Sequence, residues 1–350
     1  MTKNSSGALR RLLLSSSLAA SAMLMSSAAS AALPVTPTSV GATTQINGVT
    51  VENVAFNNNG ITMSGNVYRP RRFDAQRKYP AIVVVHPGGG VKEQTAGLYA
   101  LKMAEQGFVT LAFDAAHQGA SGGLPRFIDD PMKRVVDFYS AVDYLSTLSF
   151  VDTARLGALG VRAGSGVTVK ASMTDRRIKA LAIVSGIDSG AAARKGWDGT
   201  TPVATMLDTL AKVGAQRSAE AAGAAPVYVN YVPALGDTSA PRDLQEAADY
   251  YLTERGRYPT STNQMLMTSV STGMSFTGFE GADTFITQPL LMIAGSEAGS
   301  LWHSKELHAK AASRDKELVI IPGATHMDLY DGPGADTAAS KLAPFFKSRL

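Results

Sequence analysis

Residues 154–166 read Ala-Arg-Leu-Gly-Ala-Leu-Gly-Val-Arg-Ala-Gly-Ser-Gly. An apolar strand ends at Gly160 and a glycine-rich turn hands over to the Ala/Val-rich run 167–173, which has the composition of a helix start. Gly160 and Gly164 stand two residues either side of Arg162. That is the frame of a strand–turn–helix elbow, whose central residue is held in strained backbone and whose flanks leave no room for a β-carbon. An elbow of this kind ordinarily projects a nucleophile from the end of a sheet. Here the projected side chain is arginine, which stays protonated and cannot attack a carbonyl. The frame for covalent catalysis is in place without the atom that performs it.

The rest of the chain supplies a sheet for the elbow. Residues 50–55 and 61–68 alternate apolar and polar side chains around Asn57-Asn58-Asn59-Gly60, the pattern of a β-hairpin. The β-branched run 81–85 and the strand 109–113 are apolar throughout, as parallel strands covered on both faces are. Helices are expected over 93–106 and 131–148, strands over 180–185, 290–294 and 317–321, and further helices over 304–313 and 337–347. Between residues 191 and 284 the strand–helix rhythm lapses into helical pieces, 203–212 and 244–253, and an aromatic cluster around Trp197, Tyr228, Tyr231, Tyr250, Tyr251 and Tyr258. The rhythm resumes afterwards, so this block reads as a cap inserted over the strand carboxyl ends. The expected class is α/β: a mostly parallel sheet with helices on both faces, formed by residues 49–190 and 285–350, with any site in the loops at the strand carboxyl ends.

Residues 1–31 carry Lys3, Arg10 and Arg11, a short serine-broken apolar run and then Ala29-Ser30-Ala31, the plan of a secretory signal. The run is too short and too rich in serine for a membrane anchor. Export to the periplasm or the medium is therefore expected, with residues 32–48 as a Pro/Thr/Ser-rich tether. Loss of the leader lowers the formal net charge from +4 to +1, and no Lys/Arg block remains to recognise nucleic acid or an anionic membrane. Without cysteine the chain has neither disulfides nor a thiol nucleophile.

A base for the elbow must come from another loop on the same sheet edge, and His326, in Gly323-Ala-Thr-His-Met-Asp328 after the last strand, stands where that base is expected. A carboxylate to orient the imidazole is expected in the preceding loop, where Glu297 is the candidate. His86-Pro-Gly-Gly-Gly90 has the form of a loop whose backbone N–H helps build an oxyanion hole, placing Gly88 and Gly89 beside the N–H of Ala163. Ser165, three residues past the elbow position, is the alternative candidate nucleophile, but it sits outside the Gly-x-Ser-x-Gly frame and better suits the first helical turn, capping free N–H groups. No histidine spacing suits a metal, and no phosphate or dinucleotide loop is present, so no cofactor is expected.

Together, Val84-Val85-His86-Pro-Gly-Gly-Gly-Val-Lys-Glu-Gln-Thr95, Ala112-Phe-Asp114 with His117-Gln-Gly119, and Gly323-Ala-Thr-His326 resemble bacterial α/β-hydrolases of the dienelactone-hydrolase-like group over nearly all of residues 51–346. The resemblance implies an α/β-hydrolase fold, His326 as base, Glu297 as acid, and Gly88, Gly89 and Ala163 at the oxyanion. Arg162 departs from the Cys or Ser usual in that group. Two functions follow: hydrolysis of a small ester-like or acyl substrate by a non-standard site, or non-catalytic binding of a small anion through Arg162.

Overall fold

The computed structural model describes residues 39–350, so the expected leader and the first part of the expected tether, residues 32–38, lie outside the described residues. The chain begins with β1 (Thr43–Ile46), β2 (Val49–Asn58), β3 (Ile61–Arg69) and β4 (Tyr79–Val85), followed by α1 (Thr95–Glu105), β5 (Val109–Phe113) and α2 (Pro131–Thr147). Then come β6 (Val151–Val161), α3 (Ala163–Thr174) and β7 (Ile178–Val184). A long insertion follows, with α4 (Ser189–Lys195), α5 (Val203–Ala221), β8 (Tyr228–Val229), α6 (Arg242–Leu252), β9 (Met265–Leu266), α7 (Ser269–Ser275) and α8 (Ala282–Phe285). The core closes with β10 (Leu290–Gly295), α9 (Leu301–Lys310), β11 (Lys316–Ile321) and α10 (Gly332–Arg349).

The described residues form a nine-stranded sheet in the order β1-β2-β3-β5-β4-β6-β7-β10-β11. The first three strands and the β3–β5 pair are antiparallel; every pair from β5 to β11 is parallel. In the β2–β3 hairpin Asn58 pairs with Ile61, so the turn is Asn59-Gly60, and both residues take the positive φ that a tight hairpin of this hand requires. The expected tether is shorter than its composition suggested: Thr43–Ile46 pairs with β2 as an edge strand whose four residues are all exposed. Parallel strands β4, β5 and β7 are apolar along nearly their whole length because both faces are covered. One apolar layer joins Val83, Leu111, Phe138, Val167 and Ile183; the other joins Ile82, Tyr99, Leu159, Val184 and Phe346.

Asp130 caps α2 by accepting from the N–H groups of Met132 and Lys133, with Pro131 in the first turn where no N–H is needed. Because the paired strands share one direction, their carboxyl ends line up. The loops carrying Asp114, His86–Gly90, Arg162, Ser185, Glu297–Ser300 and His326 therefore sit side by side, in that order, along one sheet edge. The insertion starts at this edge, after β7, and because β10 runs parallel to β7 the chain rejoins the sheet at the opposite edge.

Candidate functional site

Arg162 stands between β6 and α3 with φ 51° and ψ −120°, a conformation costly for any residue with a β-carbon. The surrounding backbone over-determines it: Arg162 N–H donates to Val184 O, and its carbonyl accepts from Ser165 and Ile187. A β-carbon on Gly160 would stand 2.6 Å from Ser165 Cα, and one on Gly164 would strike the carbonyl oxygens of Val85 and His86. The glycine frame thus has the steric cause expected of an elbow. Ser165 is spent locally, its Oγ donating to Gly160 O at 3.1 Å from a fully buried position. It satisfies a strand carbonyl rather than the N–H groups for which the sequence suited it, and it is not aimed at a substrate.

His326 is fully buried beyond β11 and held from several sides. Ser185 Oγ donates to its carbonyl at 2.9 Å, Tyr99 donates to Leu329 O one turn on, and Glu297 N–H donates to Ala324 O. Its Nδ1 lies 2.6 Å from Ser300 Oγ, and its Nε2 has no partner. Burial, then the Arg162 cation, then His303 hold the imidazole well below its ordinary pKa, so it is neutral at pH 7.

The place that an orienting acid would take is therefore held by Ser300. Glu297 is exposed; only its backbone enters the site, with its carbonyl accepting from Arg242 at 2.5 Å. Ser300 occupies the cap position of α9, yet its hydroxyl turns to the imidazole instead of the helix N–H groups. Sequence reasoning missed it because a serine three residues past the candidate acid carries no charge to mark it.

Beside the elbow, the His86–Gly90 loop brings its backbone close. A β-carbon on Gly88 would lie 3.6 Å from that of Ala163, and Gly89 has a φ of +73° beneath the ring of Tyr231, which a side chain there would strike. Among the described residues the N–H groups of Gly88 and Ala163 donate to no protein acceptor. His86 is structural: Nδ1 lies 2.6 Å from Pro87 O, Nε2 accepts from Ala115 N–H, and burial lowers its pKa to about 3. The end of the loop is clamped where buried Lys92 pairs with Asp114 at 3.0 Å and Glu93 at 2.6 Å.

The insertion supplies the pocket walls. Trp197 lies against both key side chains, 5.4 Å from the Arg162 guanidinium carbon to its ring and 4.8 Å ring to ring with His326. Buried Asp243 fixes that indole, its Oδ2 accepting from Trp197 Nε1 and from Gly299 N–H, each at 2.8 Å. Tyr330 lies 5.7 Å from His326 and 6.3 Å from Tyr251, ring to ring, and neither phenol oxygen has a hydrogen-bond partner. Arg162 itself forms no side-chain hydrogen bond or ion pair among the described residues. A narrow recess remains, lined by Gly88, Gly89, Tyr231, Tyr251, Ser261 and Asn263. The aromatic cluster announced Trp197, Tyr231 and Tyr251; Asp243 and Tyr330 had no signal of their own. The structure thus gathers Arg162, Ala163, Gly88, Gly89 and His326 at one edge, with Ser165 facing inward and Glu297 outward.

Such a site offers oxyanion donors, an imidazole base and a cation without a counter-ion, and no nucleophilic side chain at the elbow. The family model for the X-Pro dipeptidyl-peptidase (S15 family) matches residues 59–328. The chain is 42% identical to the uncharacterised protein YcjY of Escherichia coli K12, over 84% of this chain and 96% of that one. The crystal structure of hypothetical protein PA2218 from Pseudomonas aeruginosa superposes with a TM-score of 0.81 at 33% identity, covering 94% of this chain and 99% of that one. A thiohydrolase of Eupenicillium brefeldianum is 25% identical over 85% of this chain and 94% of its own length. With its sheet, elbow and terminal histidine loop, the chain belongs to the S15 family of the α/β-hydrolase superfamily.

Proposed function

We propose that the chain hydrolyses a small ester-like or acyl substrate without an acyl-enzyme, in the manner of a dienelactone-hydrolase-like protein whose nucleophile has been replaced. The observation that carries this reading is the position of Arg162: the strained elbow backbone is intact, yet it aims a guanidinium past Trp197 toward a neutral histidine. With Nδ1–H donating to Ser300 Oγ, the Nε2 lone pair is free to take a proton from water. Water oxygen bonds to the carbonyl carbon as its proton passes to His326. The carbonyl electron pair moves onto oxygen, which faces the N–H groups of Ala163 and Gly88. Collapse of this adduct breaks the bond to the leaving group, which takes the proton back from His326. Export, expected from the leader, fits a substrate met outside the cytoplasm.

A second reading is binding of a small anion without turnover. It is favoured by the same uncompensated guanidinium and by the low basicity of His326. The relatives include proteins named thiohydrolase and acyltransferase, which supports acyl chemistry over other reactions of the fold. Hydrolysis of activated short-chain esters, followed with intact-protein mass under quench, tests the pair. Turnover lost in His326→Ala with no acyl adduct is expected. An adduct would overturn the water route, and rates equal to those of His326→Ala would leave the binding reading.

A further inference from the structure

Four polar features of this pocket are unmatched by the protein itself. The Arg162 guanidinium has no anionic partner, and the Tyr251 hydroxyl, the Tyr330 hydroxyl and His326 Nε2 are buried without hydrogen-bond partners. Ring spacings of 4.8 to 6.3 Å through Trp197, His326, Tyr330 and Tyr251 set these groups side by side, and the Arg162 charge acts on His326, Tyr330 and Tyr251 alike. The pocket also faces the start of α3, a twelve-residue helix whose first N–H groups favour negative charge.

The charge count narrows the ligand. Arg134, the other cation of the neighbourhood, is spent: it donates to His86 O at 2.5 Å and lies 4.0 Å from Asp129. Asp129 itself borders Gly88 and adds negative charge on that side. His326 and His303 are neutral, since burial lowers both. One free cation amid neutral donors matches one negative charge; a dianion would leave a second charge buried and unpaired. A planar carboxylate can take two parallel N–H bonds from a guanidinium and accept the phenol O–H groups on its remaining lone pairs. The recess beside Tyr251 is narrow and admits only a short chain.

We infer that this pocket recognises a short-chain monocarboxylate, held by Arg162 together with Tyr330 and Tyr251, as the acid group of the substrate or product. The inference rests on the acyl-substrate reading but stands apart from turnover. Calorimetric titration with propionate, octanoate and inorganic phosphate at fixed ionic strength tests it, with Arg162→Gln, Tyr330→Phe and the distant surface variant Arg314→Gln. Propionate is expected to bind at least about tenfold more tightly than phosphate or octanoate. Arg162→Gln should weaken it about tenfold or more and Tyr330→Phe several-fold, the range of hydrogen bonds to a charged group, with Arg314→Gln unchanged. Arg162-dependent propionate binding without any ester turnover would support the inference and remove the catalytic reading. Ester turnover with no carboxylate binding would overturn the inference alone, as would phosphate binding as tightly as propionate, or propionate affinity indifferent to both Arg162 and Tyr330. Because Tyr330→Phe deletes one oxygen only, it keeps the test open if Arg162→Gln folds poorly.

Discussion

The two halves of the site are built from different materials. The half between β4 and β6 is backbone: glycines at 88, 89, 160 and 164, a strained residue between strand and helix, and free N–H groups beside it. The half between β10 and β11 is side chain: a histidine, the serine on its Nδ1, and a tryptophan leaning across from the insertion. In the first half the geometry of a hydrolase is preserved. In the second the histidine remains while its orienting partner is a neutral hydroxyl, and the elbow side chain that should face it is a cation. Backbone geometry is fixed by sterics that tolerate no drift, whereas a side chain can be exchanged without moving the sheet.

The sharpest way to break this contrast is to supply the missing side chains. If the backbone half is poised, Arg162→Ser combined with Ser300→Asp restores nucleophile, base and acid. Hydrolysis of an activated acetate ester should then exceed that of Arg162→Ser alone by roughly 10²–10³-fold, since an orienting carboxylate is worth up to about 10⁴ in such triads. Equal rates for the single and double variants would show that a carboxylate at position 300 does not orient His326, and rates of both no higher than wild type would show that the backbone half is not competent.

A smaller effect lies in pH. His86 and His303 have pKa values lowered to about 3 by burial, and His326 is lowered by burial and by Arg162. These groups take up protons on unfolding below the ordinary histidine pKa. Their contribution is complete above about pH 6.5 and is lost as pH falls toward the folded values, by about 1.4 kcal/mol per pH unit for each group. Asp137 works oppositely: burial raises its pKa to about 6, so acidification between about 6 and 4 returns a similar amount once. Urea denaturation at pH 7 and pH 5 should show a net loss at the lower pH, with one histidine's share of the slope removed in His303→Leu. A stability independent of pH over this range would contradict the burial of these rings.

The least effect concerns the elbow alone. Relieving its positive φ with Arg162→Gly should raise unfolding stability by about 1 kcal/mol, measured by denaturant midpoint. No gain would mean that the Trp197 contact offsets the backbone strain.

Much of the fold was legible because its signals are local. Residues 81–85 and 109–113 can hardly be anything but buried strands, and Asn59-Gly60 can hardly avoid a tight turn. Thr43–Ile46 was not legible, since a fully exposed edge strand has no apolar periodicity. Helix α10 starts five residues earlier than expected: Gly332-Pro333-Gly334 has the composition of a break, yet proline is compatible with a first turn. Helix α5 runs to Ala221, not 212, because Val213 is its one fully buried residue and the exposed faces carry no stop signal. In the site, His326 was found from chain order and Arg162 from its glycines. Ser300 escaped because an imidazole's partner is chosen by a distance of 2.6 Å, which spacing along the chain does not encode.

Asp243 has a consequence beyond positioning. Its carboxylate ties helix α6 of the insertion to the Gly299 amide, one residue before the serine on His326, and to the indole that covers Arg162. The insertion is therefore not a detachable module laid over a finished core. Any opening that frees α6 releases Trp197 and the Gly299–Ser300 corner together, so hydrogen exchange at the Gly299 amide reads out the docking of the insertion. A protein trimmed to its sheet and helices would lose the support of its histidine along with its lid.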